Sequence, residues 1–444
     1  MRICLDSQKG FMWTKHQNVM VIGYAFASKD LLQEKALAEY FLPCVTRDDI
    51  VRRLRNLNGF FSIIIKTPTG WFAAVDHVRS FPILWSFQKG EYVLFDRFSS
   101  IPKLDLSYDY NSMEEFLATG YVTGNETLYK EARQLGGGEF LWIPDGSSDD
   151  EVEVAEYYRY EYNITLFDQD KCYEILSEAY DNMTQRLIRF LDGRTAVIPL
   201  SGGHDSRLIA FFLNKHGYDN IIAYTYGRPQ NSESEISKKV ARFLGIPWHF
   251  VPYEKERMQE LYNNNHKYSV MADYCGNGNT VPLIQEWMAI DYLTSLKVLP
   301  QNSVIVPGFT GDFLAGGHLI KRSEDNMLHE DIMAAHYKNY PWNKRGMGAN
   351  NDELFTNKIQ SVVKRSIHCP GEDSTTLYEA FEYFDWKERQ CKHINNAVRI
   401  YELYNYQWAM PLWDKDVIAA WTAISLDLRY GRKLFIDYTE HAYA

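Results

Sequence analysis

The sequence lacks the short motifs that mark many nucleotide and metal sites. It contains no Gly-Lys dipeptide, which excludes a Walker-type phosphate loop, and no G-x-G-x-x-G follows a strand-like run. H-E-x-x-H is also absent, and the six cysteines show no C-x-x-C spacing. They are Cys4, Cys44, Cys172, Cys275, Cys369 and Cys391. This scatter favours reduced thiols over a disulfide framework or a zinc site.

Long apolar runs and an excess of positive charge are missing too. Apolar runs such as Ile63-Ile64-Ile65 fall far short of the roughly 18 residues that a membrane span needs, so we expect no membrane partner. The region where a signal peptide would have its apolar segment contains the charged residues Asp6, Lys9 and Lys15. Export is therefore not indicated, and we predict a cytoplasmic protein. Acidic residues number 58 against 47 basic ones, and this net charge of −11 argues against a nucleic-acid partner.

The composition that remains is that of a folded protein with more than one domain. Of the 444 residues, 45% are hydrophobic and 24% are charged. The first 143 or so residues show short β-rich runs, followed by a polar, turn-rich stretch at 144–151. From about residue 166, apolar residues recur three and four apart up to Phe190, which predicts a long amphipathic helix. We therefore predict two domains, residues 1–165 and 166–444.

The second domain shows an alternation of strands and helices. Apolar runs at 196–200, 221–226, 248–251 and 304–306 read as buried strands, and helical patterns follow the first two. Such an alternation predicts right-handed crossovers and a parallel sheet, hence an α/β fold. From about residue 325 the chain is predicted to be mainly helical.

Two glycine-rich loops follow strands of this predicted sheet. The first reads Ser201-Gly202-Gly203-His204-Asp205-Ser206, and the second runs from Pro307 through Gly308 to Asp312. Glycines let the backbone approach an anion, and N–H groups at a helix start favour phosphate. One carboxylate in each loop suits Mg²⁺ that also binds substrate phosphates, so Asp205 and Asp312 are the candidate metal ligands. We expect His204 and His318 to serve in packing or capping instead.

These residues resemble the asparagine synthetase-like branch of the ATP-pyrophosphatase superfamily, which includes β-lactam synthetases. The resemblance covers nearly the whole chain, since the N-terminal half is similar to that family's glutaminase-type domain. It is carried there by Leu57-Asn58-Gly59-Phe60-Phe61, Asp76 with Pro82-Ile83-Leu84, Gly120-Tyr121-Val122 and Leu135-Gly136-Gly137-Gly138, and later by Glu235 and Met410-Pro411-Leu412-Trp413-Asp414. The resemblance implies an Ntn-hydrolase-like α/β/β/α domain, then a nucleotide-α-hydrolase-like synthetase domain with a helical C-terminal part.

The implied reaction is ATP-dependent amide formation. A substrate carboxylate attacks the α-phosphate of ATP, pyrophosphate leaves, and an amine or ammonia then displaces AMP. By similarity, the pyrophosphate is held by Ser201, Gly202, Gly203, Asp205 and Ser206. By similarity, adenosine is contacted by Leu200, Tyr226 and Gly308, and Mg²⁺ is bound by Asp205 and Asp312.

Three departures from the family narrow the expectation. Arg2 stands where the family's glutaminase has its nucleophilic cysteine, so we expect the N-terminal domain to be inactive. Phe313 replaces an acidic residue, which points to a carboxylate other than aspartate. Relatives continue beyond the position of Ala444 to a catalytic lysine, and Lys433 is the candidate for that role here.

The leading hypothesis is therefore a ligase that joins a small-molecule carboxylate to ammonia or an amine. The identity of the carboxylate substrate is left open: it could be a sugar uronic acid, a peptide or another acid. The oligomeric state is also left open, with a homodimer as one possibility. Two alternatives remain: RNA thiolation by a related pyrophosphatase loop, and a nucleotide-binding relic without catalysis. RNA thiolation would need a basic face and reactive cysteines.

Overall fold

The protein is described here by a computed structural model. It describes residues 1–6, 9–101, 104–148, 151–320, 327–337, 352–366 and 374–443, so Cys369 and part of the polar stretch at 144–151 lie outside the described residues. The chain forms two compact units, and neither is continuous in sequence. The first comprises Met1–Glu161, Ala272–Pro282 and Ile320–Asn396; the second comprises Tyr162–Met271, Leu283–Leu319 and Ala397–Ala444. The predicted domain boundary between residues 165 and 166 stays a prediction.

Strands and helices alternate along the described chain. The strands are β1 Arg2–Cys4, β2 Thr14–His16, β3 Val19–Ala27, β4 Asp30–Gln33, β5 Leu57–Thr67, β6 Gly70–Val75, β7 Leu84–Gln88, β8 Glu91–Phe95, β9 Ala132–Gln134, β10 Glu139–Pro144, β11 Glu153–Glu156, β12 Ala196–Pro199, β13 Ile221–Gly227, β14 Trp248–Pro252, β15 Val304–Ile305 and β16 Gln407–Trp408. The α-helices are α1 Glu34–Phe41, α2 Arg47–Arg55, α3 Tyr110–Thr119, α4 Gln169–Leu191, α5 His204–Lys215, α6 Ser232–Leu244, α7 Lys255–Asn263, α8 Asn265–Gly276, α9 Ile284–Ser295, α10 Gly311–Leu314, α11 Leu328–Ile332, α12 Asp352–Val363, α13 Ser374–Phe384, α14 Arg399–Leu403, α15 Lys415–Thr422, α16 Leu426–Arg429 and α17 Lys433–Tyr443. Two π-helical segments lie at Met333–Tyr337 and Asp385–Ile394.

The first unit contains two β-sheets. One has the strand order β11-β10-β6-β5-β3-β2 with β4 beside β3, and the other has the order β1-β8-β7-β9. Strand β5 has a continuous apolar run because both faces of its sheet are covered. Successive side chains of a strand point to opposite faces, so every position of the run is buried. Ile63 and Ile65 pack toward α1 and α2, whereas Ile64 packs toward the second sheet. Each of these fully buried side chains contributes about 1.5–3 kcal/mol of hydrophobic stabilisation.

The layers of this unit follow from its three apolar clusters. Leu37 and Phe41 of α1 and Leu54 of α2 cover one face of the larger sheet. The other face packs on the four-stranded sheet through a second cluster that includes Trp85. The far face of the four-stranded sheet is covered by the segment that follows β8, through Ile101. The mixed α/β character predicted for the chain is confirmed.

The second unit is built on a parallel sheet with the strand order β14-β13-β12-β15-β16. The predicted strands are confirmed as β12 to β15, and the predicted long helix is α4. Helix α4 begins where the Asp168 side chain accepts the Lys171 N–H at 3.0 Å, and it ends at Asp192, which has φ +47°. Helices α14 to α17 confirm the helical C-terminal part. The two-residue strand β16 is too short to leave a periodic signal in the sequence.

No helix in the described part of the chain combines the length and the apolar composition that crossing a bilayer requires. This agrees with the short apolar runs of the sequence.

Candidate nucleotide site

The loop between β12 and α5 is held by its own serines. The Ser201 Oγ accepts the Gly203 N–H at 3.1 Å, and the Ser206 Oγ accepts the Ser201 N–H at 3.1 Å. Helix α5 begins at His204 with Gly203 as its cap, so no side chain covers the first N–H groups of the helix through a capping bond. A hydroxyl that accepts one hydrogen bond still has a hydrogen to donate to a ligand. The loop therefore places backbone N–H groups at a helix start that has no side-chain cap, which is a suitable environment for an anion.

The second predicted loop lies directly against the first. A Cβ atom on Gly308 would lie 2.7 Å from the Ser206 backbone nitrogen, and one on Gly311 would lie 2.7 Å from the Asp205 Cγ. Real Cβ atoms do not approach backbone or carboxylate atoms so closely, so both positions need glycine. The structure thus brings together the two glycine-rich loops that the sequence places about 100 residues apart.

Asp205 and Asp312 form a carboxylate pair at this contact. The Asp312 N–H donates to the Asp205 Oδ2 at 3.1 Å. Burial, and next the charge of Asp312, raise the pKa of Asp205 to about 7. Asp312 is more accessible, with 40% of its side chain exposed. The negative charge of Asp312 disfavours the charged form of Asp205, and a divalent cation bound here would relieve that repulsion.

The cation that reaches this pair is Arg432. Its Nη1 donates to the Asp312 Oδ1 at 2.5 Å, and the His318 Nε2 lies 3.8 Å from the Asp312 Oδ2. Lys433, the residue that the sequence predicts for a catalytic role, is the first residue of α17 and is exposed. Sequence reasoning missed Arg432, and with it this ion pair.

One sequence signal does point to Arg432 once the structure is known. A Cβ on Gly317 would lie 2.7 Å from the Asp312 Oδ1 and 2.8 Å from the Arg432 Cδ. Gly316 has φ +83°, and a Cβ there would lie 2.7 Å from the Arg429 carbonyl oxygen. The Gly316-Gly317 pair therefore makes room for the chain that carries Arg432.

The residues predicted to meet adenosine lie next to the phosphate loop. Leu200 is buried, its N–H donates to the Tyr224 carbonyl at 2.8 Å, and its carbonyl accepts the Thr225 hydroxyl. The Tyr226 ring stacks on the Tyr253 ring with the ring centroids 5.1 Å apart. The Tyr226 hydroxyl forms a hydrogen bond with Glu286, and the charge of Glu286 together with burial raises the pKa of Tyr226. Leu200 and Tyr226 are thus fixed by the sheet and its neighbours.

The donor set fits magnesium that is shared with phosphate, but not a metal held by protein alone. Within the described residues, no group of three or more His, Cys, Asp or Glu side chains could hold a metal ion. Phe313 follows Asp312 and is buried, with its ring 5.9 Å from the Trp413 ring, so the position that is acidic in the family supplies no ligand here. Asp205 and Asp312 would hold Mg²⁺ jointly with phosphate oxygens, which is the usual arrangement for this ion.

A family comparison agrees with this geometry. The model of the asparagine synthase family matches residues 189–434, which is more than half of the chain and includes both glycine-rich loops. The parallel sheet and its paired loops have the arrangement of a nucleotide-α-hydrolase-like fold. The chain belongs to the asparagine synthase family.

Curated proteins with sequence similarity include tRNA-modifying enzymes. The probable mitochondrial tRNA-specific 2-thiouridylase 1 of Caenorhabditis elegans is 30% identical over 132 residues, covering 28% of this chain and 32% of that protein. The tRNA-specific 2-thiouridylase MnmA of Haemophilus ducreyi is 24% identical over 215 residues, covering 46% of this chain and 47% of that protein. The matches thus span between about a third and a half of the length of these relatives.

A comparison with solved structures finds the NH3-dependent NAD synthetase from Campylobacter jejuni in complex with the nitrate ion. It has 12% sequence identity and a TM-score of 0.25, and the match covers 47% of this chain and 100% of that one.

Proposed function

We propose that the chain is an ATP-dependent ligase that forms an amide from a carboxylate other than aspartate. A carboxylate oxygen attacks the α-phosphorus of ATP, and the bond to the bridging oxygen breaks, so that pyrophosphate leaves and an acyl adenylate forms. The nitrogen of ammonia or an amine then attacks the acyl carbon, the bond to AMP breaks, and the nitrogen releases a proton. Members of the asparagine synthase family are ATP-using ligases, and we propose adenylation as the route and AMP and pyrophosphate as the products.

The observation that carries the proposal is the contact between Asp205 and Asp312 at the carboxyl ends of parallel strands. When bound, Mg²⁺ would neutralise phosphate charge at these two carboxylates. The Gly202 N–H and the hydroxyls of Ser201 and Ser206 would hold the pyrophosphate, and the Gly203 N–H would join them by exchanging its bond to the Ser201 Oγ. Leu200, Tyr226 and Gly308 would contact adenosine. The protein's part is positioning and electrostatic stabilisation of charge that develops on the phosphates.

Thiolation of tRNA is the second candidate, because the curated relatives above carry that name. Such chemistry needs an accessible cysteine thiolate and a surface that attracts RNA. Cys44, Cys172, Cys275 and Cys391 are buried, and burial raises the pKa of the Cys44, Cys172 and Cys391 thiols. The net charge of −11 also works against binding a polyanion. These observations favour the ligase.

The deciding experiment measures AMP and pyrophosphate from ATP and Mg²⁺ with the whole chain. Candidate carboxylates are uronic acids, short peptides and amino acids, each with and without ammonia. Acceptor-dependent AMP formation that Asp205→Asn abolishes supports the ligase. A parallel reaction with tRNA and a sulfide donor tests thiolation, and sulfur incorporation there would overturn the proposal. ATP binding without AMP formation under either condition would mark a nucleotide-binding relic and overturn it as well.

We further propose that the N-terminal segment 1–165 is of the glutaminase type but does not hydrolyse glutamine. The half-buried Cys4 lies within β1, which pairs in parallel with β8. A thiol in a paired strand is poorly placed to act as a terminal nucleophile. A cytoplasmic location and a homodimer stay predictions.

A further inference from the structure

A cavity of about 500 Å³ lies at the carboxyl ends of β13 and β14 in the second unit. Its lining residues follow these two strands: Arg228, Tyr253, Lys255, Met258, Gln259, Tyr262 and Asn263. Strand β13 lies between β12, which leads into the phosphate loop, and β14. Since neighbouring strands are about 4.8 Å apart, the cavity stands roughly 10 Å along the sheet edge from that loop.

The charges in the cavity are of one sign. Arg228 and Lys255 line it, and no lining residue is a carboxylate. Neither cation forms an ion pair with any other residue that the structure describes. In a chain with a net charge of −11, two exposed cations at the rim of one cavity create a local positive potential that would attract an anion.

One wall of the cavity is held in place. The Tyr253 N–H donates to the Gly227 carbonyl at 2.8 Å, and the Tyr253 hydroxyl donates to the Gln285 carbonyl. The Tyr253 ring also stacks on Tyr226 at 13°. Met258 and Tyr262 add apolar surface from α7. A fixed aromatic ring with apolar neighbours and a few charged groups is typical of a small-molecule site.

Hydrogen bonds of the Asn231 side chain hold the turn that contains Arg228. The Asn231 Nδ2 donates to the Arg228 carbonyl at 2.6 Å, and the same side chain caps α6 by accepting the Ser234 N–H at 2.8 Å. The backbone that carries Arg228 is therefore ordered, and its exposed side chain extends from this turn.

We propose that this cavity binds the part of the carboxylate substrate that lies away from the reacting carboxyl group. The class of substrate is an elongated dianion with an apolar or ring-shaped body: one carboxyl group reacts at the phosphate loop, and the second anionic group binds Arg228 and Lys255. This assignment rests on the proposed ligase function. The adenine of ATP is the alternative occupant, but adenine is uncharged and would leave both cations without a partner.

Binding of a fragment tests the cavity without ATP. Isothermal titration calorimetry of the whole chain with isophthalate, an aromatic dianion, should show saturable binding, and neutral isophthalamide should bind much more weakly. The double variant Arg228→Gln/Lys255→Gln should bind isophthalate at least about tenfold more weakly, since it loses two charge-assisted contacts. The matched control Lys239→Gln/Arg242→Gln removes the same charge from α6 outside the cavity and should stay within about twofold of the wild type.

The outcomes separate this proposal from the ligase proposal. Absence of saturable isophthalate binding, or equal weakening in both double variants, would overturn the anion cavity even if AMP forms. Conversely, isophthalate binding without AMP formation would support an anion-binding cavity and overturn its assignment to the substrate of a ligase. For an acceptor that does support AMP formation, Arg228→Gln/Lys255→Gln should raise the acceptor KM at least about tenfold and leave the ATP KM unchanged. A raised ATP KM would assign the cavity to adenine instead.

Discussion

Arg432 and Asp312 form an ion pair at 2.5 Å, beside the carboxyl group of Asp205. The guanidinium supplies the positive charge that two neighbouring carboxyl groups need when no other cation is present. The ion pair forms against Gly317, where a Cβ atom would lie 2.7 Å from the Asp312 Oδ1 and 2.8 Å from the Arg432 Cδ, so the absence of a side chain at Gly317 makes room for both partners. The proposed phosphate site therefore has a cation of its own beside Asp312, which the motifs of the sequence did not reveal.

Arg432→Gln should lower kcat/KM for ATP by about tenfold to a hundredfold. The change removes a hydrogen bond between charged groups, which contributes about 1.5–3 kcal/mol, and frees the Asp312 side chain. The adjacent Lys433→Gln is the matched comparison, since Lys433 is exposed at the start of α17. Steady-state rates of AMP formation for both variants measure the difference. If Lys433→Gln is the more damaging change, the family-derived role of Lys433 is right and Arg432 is only structural.

The two carboxylates should matter more than the hydroxyls of the loop. Asp205→Ala and Asp312→Ala should each lower AMP and pyrophosphate formation by about a thousandfold, since each removes a ligand that would hold the metal against the phosphates. Ser206→Ala should lower it only about two- to tenfold, because a neutral hydrogen bond contributes about 0.5–1.5 kcal/mol. Circular dichroism and thermal unfolding check that the variants fold. Wild-type turnover in either aspartate variant contradicts the site assignment.

The strand, turn and helix around the first glycine-rich loop could be predicted from the sequence because their signals are local. Strand β12, the glycine turn and α5 occupy 20 consecutive residues, Ala196–Lys215, and each has its own apolar period or glycine. The Arg432 contact could not be predicted in this way, since it depends on how distant segments pack. The same holds for Lys387, which a reader of the sequence would assign to a solvated helix face.

Lys387 lies instead in a buried ionic cluster of the first unit. It is 3% exposed, and its Nζ lies 3.0 Å from the Glu139 Oε1 and 2.8 Å from the Glu156 Oε1. Its Nζ also donates to the Gly137 carbonyl at 2.8 Å. Burial opposes the charge on Lys387, but the two carboxylates outweigh burial and raise its pKa. The π-helical segment Asp385–Ile394 carries this lysine.

Lys387→Met should therefore destabilise the protein by about 3–5 kcal/mol, because it removes the buried cation that two buried carboxylates share and leaves them only the more exposed Arg159 and Arg365. Urea unfolding monitored by tryptophan fluorescence measures the free energy of unfolding. The control is Lys35→Met, which removes an exposed partner of Glu39 and should cost less than about 1 kcal/mol. Equal losses in the two variants would mean that the cluster contributes no more than a surface ion pair.

Asp76 should give the first unit a pH-dependent stability. Its carboxyl group is buried and accepts the N–H groups of Phe61, Val78 and Ser80, yet burial dominates and raises its pKa from 3.8 to about 6. Between these two values the folded protein keeps a proton that the unfolded chain has lost. The free energy of unfolding should therefore fall as pH rises through this window, by at most about 3 kcal/mol, and this contribution should be constant below and above it.

Urea unfolding of the wild type and Asp76→Asn at several pH values isolates this contribution. The variant is expected to be less stable at every pH, since an amide offers one acceptor oxygen where the carboxylate offers two. The wild type should lose stability relative to the variant as pH rises from 4 to 6. Asp145→Asn, which alters an exposed partner of Lys66, should keep the wild-type slope. A difference between wild type and Asp76→Asn that does not change with pH would refute the raised pKa.

The last prediction concerns the source of nitrogen. In β1, Arg2 pairs with Val93 and Cys4 pairs with Phe95 of β8, and Cys4 packs beside a buried apolar cluster that contains both partners. A terminal nucleophile acts because its thiol and its own α-amine are within hydrogen-bond reach of each other, and an interior strand residue has no such amine. We therefore expect no release of glutamate from glutamine, and Cys4→Ala should leave amide formation unchanged with free ammonia. The measurement is glutamate release from glutamine with and without ATP and acceptor. Steady glutamate production that disappears in Cys4→Ala would show that the N-terminal segment is a working glutaminase.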